Sequence, residues 1–420
     1  MNLTSHITGQ HKIELLAPAG SYEKLKFVLH YGADAVYLAG KAFSLRNYSE
    51  NFDMDQMEAA IHLAHSYGAK CYVAVNIFAR NQDLDALERY IQHISRLKPD
   101  GIIIADPAVV MLARRIAPAL PIHLSTQANT TNGAAADFWH SQGVQRINLA
   151  RELTLAEIAE IAAASRVDIE IFVHGAMCIS YSGRCLLSNY MAQRPSNQGA
   201  CCQPCRFQYA VMEALRPGEY FPVAEDDHGT YIFNSRDLCM LPHLPDIIRA
   251  GVRSVKIEGR MKGIHYAATS IKIYREAIDR FYQAPDTFEV APYWQTELDK
   301  ISIRSYCTGF YYGNPDQVAP RLSAPSTSPY QLVGNVIAPT RDDGLTAIEV
   351  RNRIRTGDRL ELVKPKGPPL PVTVRRIMNE HGRSQDIIQA GNRVSIVLEA
   401  TCEQYDLLRI VPLDPLTGNR

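Results

Sequence analysis

The stretch HGAMCISYSGRCLLSNYMAQRPSNQGACCQPCRF (His174–Phe207) carries five cysteines: Cys178, Cys185, Cys201, Cys202 and Cys205. The whole chain has nine cysteines in 420 residues, so a window of 28 residues should hold fewer than one by chance. Their spacing is C-x6-C-x15-C-C-x2-C. Structural zinc sites are built from paired knuckles two to four residues apart. Cys205 forms one such pair with Cys202 or Cys201, but the Cys178/Cys185 step is too wide for the second. An iron–sulfur cluster needs four thiolates and tolerates looser spacing, being larger than one ion. Gly175, Gly183 and Gly199 would let the backbone turn closely around such a body. Iron–sulfur is favoured over zinc, with redox or inert thiols the remaining readings. Cys71 sits mid-strand in KCYVAVN and reads as a small core residue, as do Cys307 and Cys402.

The compartment bears on this choice. The N-terminus, MNLTSHITGQHK, lacks the basic and apolar regions of a secretory signal, and no apolar run approaches the ~20 residues of a membrane-spanning helix. A cytoplasmic protein with no membrane partner is expected, in which clustered thiols serve metal or catalysis rather than disulfides. Hydrophobic residues make up 46% and charged residues 21%, enough for a large core. Lys+Arg and Asp+Glu are both 44, so no overall field points to nucleic acid or membrane.

The elements that must position the thiols alternate apolar runs with amphipathic stretches. The runs are IELLAPA, DAVYLAG, KCYVAVN, GIIIAD, IHLSTQANT, RINLAR and DIEIFVHG, with SVKIEGR (Ser254–Arg260) after a long insertion. Between them lie segments such as TLAEIAEIAAAS, in which Thr154 and Glu157 resemble a capping box. A helix is expected from about Ile264 to Tyr282. Eight β/α units predict a TIM-barrel-like (β/α)8 domain over residues 1–285, with the cysteine-rich loop 174–207 inserted after strand 7. A doubly wound open sheet is the runner-up, weakened by the absence of G-x-G-x-x-G after the first strand. In a barrel, the C-terminal strand ends build the active site. The polar residues there are Asn76, Asp106, Gln127, Asn129, Arg151, His174, Lys256, Glu258 and Arg260.

Six motifs in order, ELLAPAG, GADAVYLAG, HLSTQANTTN, LARELTLAEI, VHGAMCISYSGRCLLSNY and KIEGRMKG, resemble the collagenase-like peptidase family, number thirty-two among those of unknown catalytic type. The resemblance runs from about Glu14 to Tyr282. It implies a [4Fe–4S] cluster and oxygen-independent hydroxylation in RNA modification or quinone synthesis. The chain most resembles the branch that makes tRNA 5-hydroxyuridine at the wobble position, in which prephenate is implicated as co-substrate. The ligands carry over to Cys178, Cys185, Cys201 and Cys205, with Cys202 and Cys239 as alternatives for the fourth.

The other functions implied by the family are peptide hydrolysis and hydroxylation of ribosomal RNA or a quinone precursor. Neither H-E-x-x-H nor G-x-S-x-G is present. SYSGRC sets Ser182 and Cys185 near His174, so a Cys–His nucleophile is conceivable, although an iron-bound thiolate is not free to attack. The candidate substrate-binding residues are Gln127, Asn129, His174, Arg206, Lys256, Glu258 and Arg260. Lys256 and Arg260 suit the carboxylates of a small acidic co-substrate, unless Lys256, Glu258 and Arg260 form a structural ion-pair network. Gln127 and Asn129 suit a base edge, and Arg206 could tune the cluster or hold phosphate.

Residues 286–331 are rich in Pro, Ser and Tyr and read as a linker. From 332 to 420, short alternating strands separated by Asp343-Gly344, Gly357-Asp358 and Gly391-Asn392 predict a small antiparallel β-barrel. If VRNRIR is extended, Arg351, Arg353 and Arg355 share one face and could bind RNA phosphates.

Overall fold

In the computed structural model, residues 12–44, 50–178, 181–194, 196, 199–204, 224–226, 229–231, 236–302, 305–313 and 330–410 are described. Two members of the expected sites, Cys205 and Arg206, lie outside them. The early apolar runs form strands β1 (Glu14–Pro18), β2 (Ala35–Ala39), β3 (Lys70–Val75), β4 (Gly101–Ile104), β5 (Ile122–Leu124), β6 (Val144–Asn148) and β7 (Asp168–Ala176). AVYLA and GIII are buried along their whole length, as strands covered on both faces must be. A short hairpin, β8 (Ala224–Asp226) with β9 (Gly229–Tyr231), and a further strand β10 (Asp237–Cys239) precede β11 (Ser254–Ile257).

Strands β1 to β7 pair in parallel and in order, and β11 pairs in parallel with both β7 and β1. The eight strands therefore close into a TIM-like barrel, with a helix after each. Local sequence fixes several helix starts. Ser21 caps Tyr22–His30, Asp53 and Gln56 form a capping box on Met54–Ser66, and Thr154 and Glu157 form the expected box on Leu155–Ala164. The helix after β11 runs Ile264–Gln283. No helix among the described residues is long and apolar enough to cross a membrane.

Strand β7 has nine residues and outruns its neighbours. Its end pairs antiparallel with β10, Cys239 opposite His174, and β12 (Tyr306–Cys307) pairs with β10 in parallel. The segment read as a linker therefore begins with structure. Helix Pro292–Ile301 buries Trp294, Leu298 and Ile301 against the barrel's core, and Tyr311 joins them. Its apolar spacing of four and three residues was obscured by the surrounding Pro, Ser and Tyr.

The C-terminal region is an eight-stranded antiparallel sheet made of β13 (Gln331–Ala338), β14 (Leu345–Val350), β16 (Arg359–Val363), β17 (Leu370–Thr373), β18 (Arg376–Met378), β19 (Ser384–Gln385), β21 (Arg393–Val397) and β22 (Leu407–Ile410). Two two-residue strands, β15 (Ile354–Arg355) and β20 (Ile387–Ile388), pair separately. Only Val374 and Arg375 separate β17, at one edge of the sheet, from β18, next to the other edge. The sheet thus curls around its own apolar core of Val333, Val336, Ile348, Leu360 and Ile396.

This region is docked on the barrel. Its Val363 and Leu407 belong to the barrel's core, and Tyr31 Oη donates to the Val363 carbonyl at 2.8 Å. Arg409, fully buried, pairs with Glu297 at 2.7 Å, and Lys300 bridges Glu297 and Glu361. Lys272 Nζ donates to the Lys364 carbonyl at 2.7 Å.

A thiol-lined cavity at the barrel mouth

A cavity of about 120 Å³ opens at the C-terminal ends of the strands. Its floor is the barrel interior, with Tyr37 from β2, Ala74 from β3, Ile103 from β4, Asn148 from β6, Phe172 from β7 and Lys256 from β11. Its walls are the loops above: Asn76, Ser125–Gln127, Arg151, Glu258 and Arg260. The loop after β7 closes one side with Cys178, Ser182, Gly183, Cys185, Ser196 and Cys201.

Three of the expected ligands, Cys178, Cys185 and Cys201, thus address one cavity. The alternatives for the fourth are engaged elsewhere. Cys202 Sγ lies 3.3 Å from Ser188 Oγ, and Cys239 is buried in the core beside Tyr274. The loop is tied by its own polar atoms, since Ser196 Oγ donates to the Cys185 carbonyl and Arg194 Nε to that of Ala200. Glycine is required at two points. Gly175 has φ +106°, and a Cβ there would sit 2.5 Å from the Glu258 carbonyl oxygen. Gly183 has φ +77° and lies against Phe78 and Gln127. Among the described residues, no group of three or more His, Cys, Asp or Glu side chains forms a ready metal cage.

Lys256 is not paired with Glu258. Its ammonium lies 2.9 Å from Glu170 Oε1 inside the barrel and 4.4 Å from the centre of the Tyr37 ring. Asn148 donates to the same Glu170 oxygen, and Arg146 sits 3.6 Å from the other. Arg146 in turn pairs with Glu14 at the start of β1. Burial alone would raise the Glu170 carboxyl, but the charges of Lys256 and Arg146 hold it below the usual carboxylate range. A line of alternating charges therefore rises through the barrel and ends with Lys256 at the cavity floor.

Gln127 lines the cavity with its Oε1 already accepting from Asn76 Nδ2 (3.0 Å) and Ser125 Oγ (3.1 Å). Its NH2 group is left to address a ligand. Asn129 does not reach the cavity. It ends the turn after β5 in the left-handed region, with its Nδ2 bonded to the Gln127 carbonyl. Arg260 lines the cavity, its Nη2 donating to Ser44 Oγ at 2.8 Å.

His174 does not reach it either. The ring is wholly buried among Tyr266, Tyr274 and Tyr306, and neither ring nitrogen has a hydrogen-bond partner among the described residues. Burial, with Lys262 nearby, pushes its imidazole down to about 3, so it is neutral. Strands β10 and β12 and helix Ile264–Gln283, all remote in sequence, are what cover it. Conversely, Arg151 belongs to the cavity although the strand-end reading left it out of the binding set. Its guanidinium stacks 4.1 Å over Phe172 and donates to the Ala176 carbonyl. Asn76 joins the site in the same way, and both were visible as polar strand ends.

In the C-terminal region the three arginines are not on one strand face. The chain bends after Val350, so Arg351 turns back to bond Asn335 and Glu349 and to pair with Glu23 on the barrel. Arg353 and Arg355 flank the buried Ile354 and are both exposed.

A TIM-like barrel with a cysteine-rich loop over its mouth and a docked antiparallel tail defines the class. The chain belongs to peptidase family U32, whose model matches residues 20–319, and the U32 C-terminal domain matches residues 328–409. Among its relatives are tRNA hydroxylation protein P1 of Bacillus subtilis (strain 168), 40% identical over 89% of each chain, and tRNA hydroxylation protein P of Escherichia coli (strain K12), 36% identical over 90% of this chain and 91% of the relative. A protein named Collagenase from Porphyromonas gingivalis (strain ATCC BAA-308 / W83) is 29% identical over 94% of this chain and 97% of the relative.

Proposed function

We propose that this protein hydroxylates tRNA, adding oxygen at C5 of the wobble uridine without dioxygen, with a [4Fe–4S] cluster and prephenate as co-substrate. The carrying observation is the convergence of Cys178, Cys185 and Cys201 on one cavity with Gln127, Lys256 and Arg260. The names of the relatives support the substrate class. A soft, all-thiol donor set suits an iron–sulfur cluster, and the family resemblance puts Cys205 in the fourth position, with Cys202 and Cys239 as the alternatives. When bound, the cluster supplies the redox centre that such an oxygen insertion requires. Arg260 and Arg151 offer guanidinium groups to the carboxylates of prephenate, while Lys256 is paired with Glu170 at the floor. The Gln127 amide donates to a carbonyl on the base edge. Peptide hydrolysis has less support, because among the described residues no histidine lines the cavity to activate Ser182 or Cys185.

The test is mass spectrometry of tRNA nucleosides from a strain lacking the gene, complemented with variants, alongside iron analysis of anaerobically purified protein. The unmodified protein restores 5-hydroxyuridine and carries about four iron per chain. Cys185→Ala abolishes both, whereas Cys239→Ala retains iron. Unchanged tRNA in the deletion strain would overturn the reaction, and stoichiometric zinc in place of iron would overturn the cofactor.

A further inference from the structure

Among the described residues that line the thiol cavity, Lys256 is the one lysine, and it stands at the floor, 4% exposed. Its ammonium lies against the Tyr37 and Phe172 rings, 4.4 and 5.6 Å from their centres. Among the described residues its one hydrogen bond goes to the buried Glu170 carboxylate, at 2.9 Å. An amine in such an apolar setting, with a carboxylate in reach to receive its proton, is equipped to form a covalent bond with a carbonyl compound. Glu170 is held charged by Lys256 and Arg146 together, so passing a proton along the shared bond removes one of the two charges that oppose it.

The walls say which carbonyl compound fits. Arg151 and Arg260 bring guanidinium groups to the same cavity, and these match a carboxylate. Asn148 Oδ1 and Ser182 Oγ, of two further lining residues, are buried with no hydrogen-bond partner among the described residues. Buried polar atoms are normally paired, so these two point to a polar ligand. The amine calls for an electrophilic carbon and the arginines for a carboxylate beside it. An α-keto acid has both.

We propose that Lys256 forms an imine with the keto carbon of an α-keto acid and so fixes it at the cavity floor. This rests on the co-substrate reading above, since prephenate carries such a group, and gives that molecule a covalent anchor. The ammonium passes one proton to Glu170, and the nitrogen lone pair forms the C–N bond. A second proton moves from nitrogen to the former keto oxygen. The C–O bond then breaks and the oxygen leaves as water with the proton held on Glu170. Nothing is oxidised or reduced. The iminium retains one N–H and the positive charge, so Glu170, again a carboxylate, is paired as before.

The test mixes full-length, anaerobically purified protein with prephenate or pyruvate and sodium cyanoborohydride, which reduces an iminium to a stable amine. Peptide mass spectrometry then maps the label. Both keto acids should label Lys256 above every other lysine, and neither should do so without the hydride. Lys256→Arg, which keeps a positive charge for Glu170, should lose the label and fail to restore 5-hydroxyuridine in the deletion strain while keeping its iron. Should that variant misfold, labelling of the unmodified protein decides alone. No label on Lys256 with either keto acid, labels spread evenly over the lysines, or full hydroxylation by Lys256→Arg would each overturn the proposal. The two readings separate by outcome. Label from pyruvate but not from prephenate removes prephenate and leaves the imine. Hydroxyuridine made by the unmodified protein, with Lys256 unlabelled, removes the imine alone.

Discussion

An imidazole closed in by three tyrosine rings, with no hydrogen-bond partner among the described residues, must stay neutral to stay buried. Protonating His174 would place a charge in an apolar shell, so its folded value of about 3 lies well below that of the unfolded chain. The sign follows by linkage. With the folded value depressed, the contribution of His174 is fully present above pH ~6.5 and is lost as pH falls toward 3. His174→Phe removes the titration while keeping a ring in the same shell. Urea midpoints at pH 6.5 and 5 should then differ less than in the unmodified protein, by about 2 kcal/mol of pH-dependent stability. An unaltered difference between the two pH values would return His174 to a solvated position. The residue was legible as a polar strand end and not as a buried one, because its cover comes from β10, β12 and helix Ile264–Gln283. Lys256, Arg260, Glu258 and Gln127 were legible for the opposite reason, since barrel closure alone turns their positions toward the mouth.

At the scale of elements, the inward faces of β6, β7 and β11 carry Arg146 and Asn148, Glu170 and Phe172, and Ser254 and Lys256. The period of two is plain in RINLAR, DIEIFVHG and SVKIEGR. Which alternate face points inward is not, since it is set when the eight strands close. The resulting ion chain is weak evidence for stability as a whole, yet removing one member leaves its partners charged and buried. Glu170→Ala should therefore cost about 3–5 kcal/mol, measured by chemical denaturation. Glu170→Met combined with Lys256→Met should recover part of that loss, because the uncompensated ammonium is gone and apolar volume replaces the pair. A double variant no more stable than Glu170→Ala would mean that Arg146, not Lys256, dominates the penalty. Helix Pro292–Ile301 shows the other limit of pattern reading: ten residues inside a Pro- and Tyr-rich stretch are too short a window for the period to stand out.

For the whole molecule, the boundary between barrel and tail is a packed interface rather than a tether. Glu297 and Arg409 are buried against each other across it, and Val363 and Leu407 complete the barrel's own core. Deleting the chain from Leu332 onward would leave Glu297 without Arg409 and Lys272 without its Lys364 and Gly367 carbonyl acceptors, and expose the apolar surface beneath, so a truncated barrel should melt well below the intact protein. RNA affinity lost on truncation would then report lost folding as much as lost contacts. Point variants of the full chain avoid that confusion. Arg351 pairs with Glu23 in the first turn of the helix after β1, and the next residue, Lys24, donates to the Arg260 carbonyl at the cavity wall. This sequence of contacts carries the turn bearing Arg353 and Arg355 to the mouth side of the barrel. The expectation is that tRNA bound at the mouth, as the proposed function requires, extends its phosphates toward these two arginines, while Arg351 is spent on the docking contact. Arg353→Ala/Arg355→Ala should lower the salt dependence of tRNA binding by up to about 1.4 in the log–log slope if both contact phosphate, similarly across tRNA sequences. Arg351→Ala should instead lower the melting temperature, with little change in that slope. An unchanged slope in the double variant, with folding intact, would assign Arg353 and Arg355 to a solvated turn and confine the RNA to the barrel mouth.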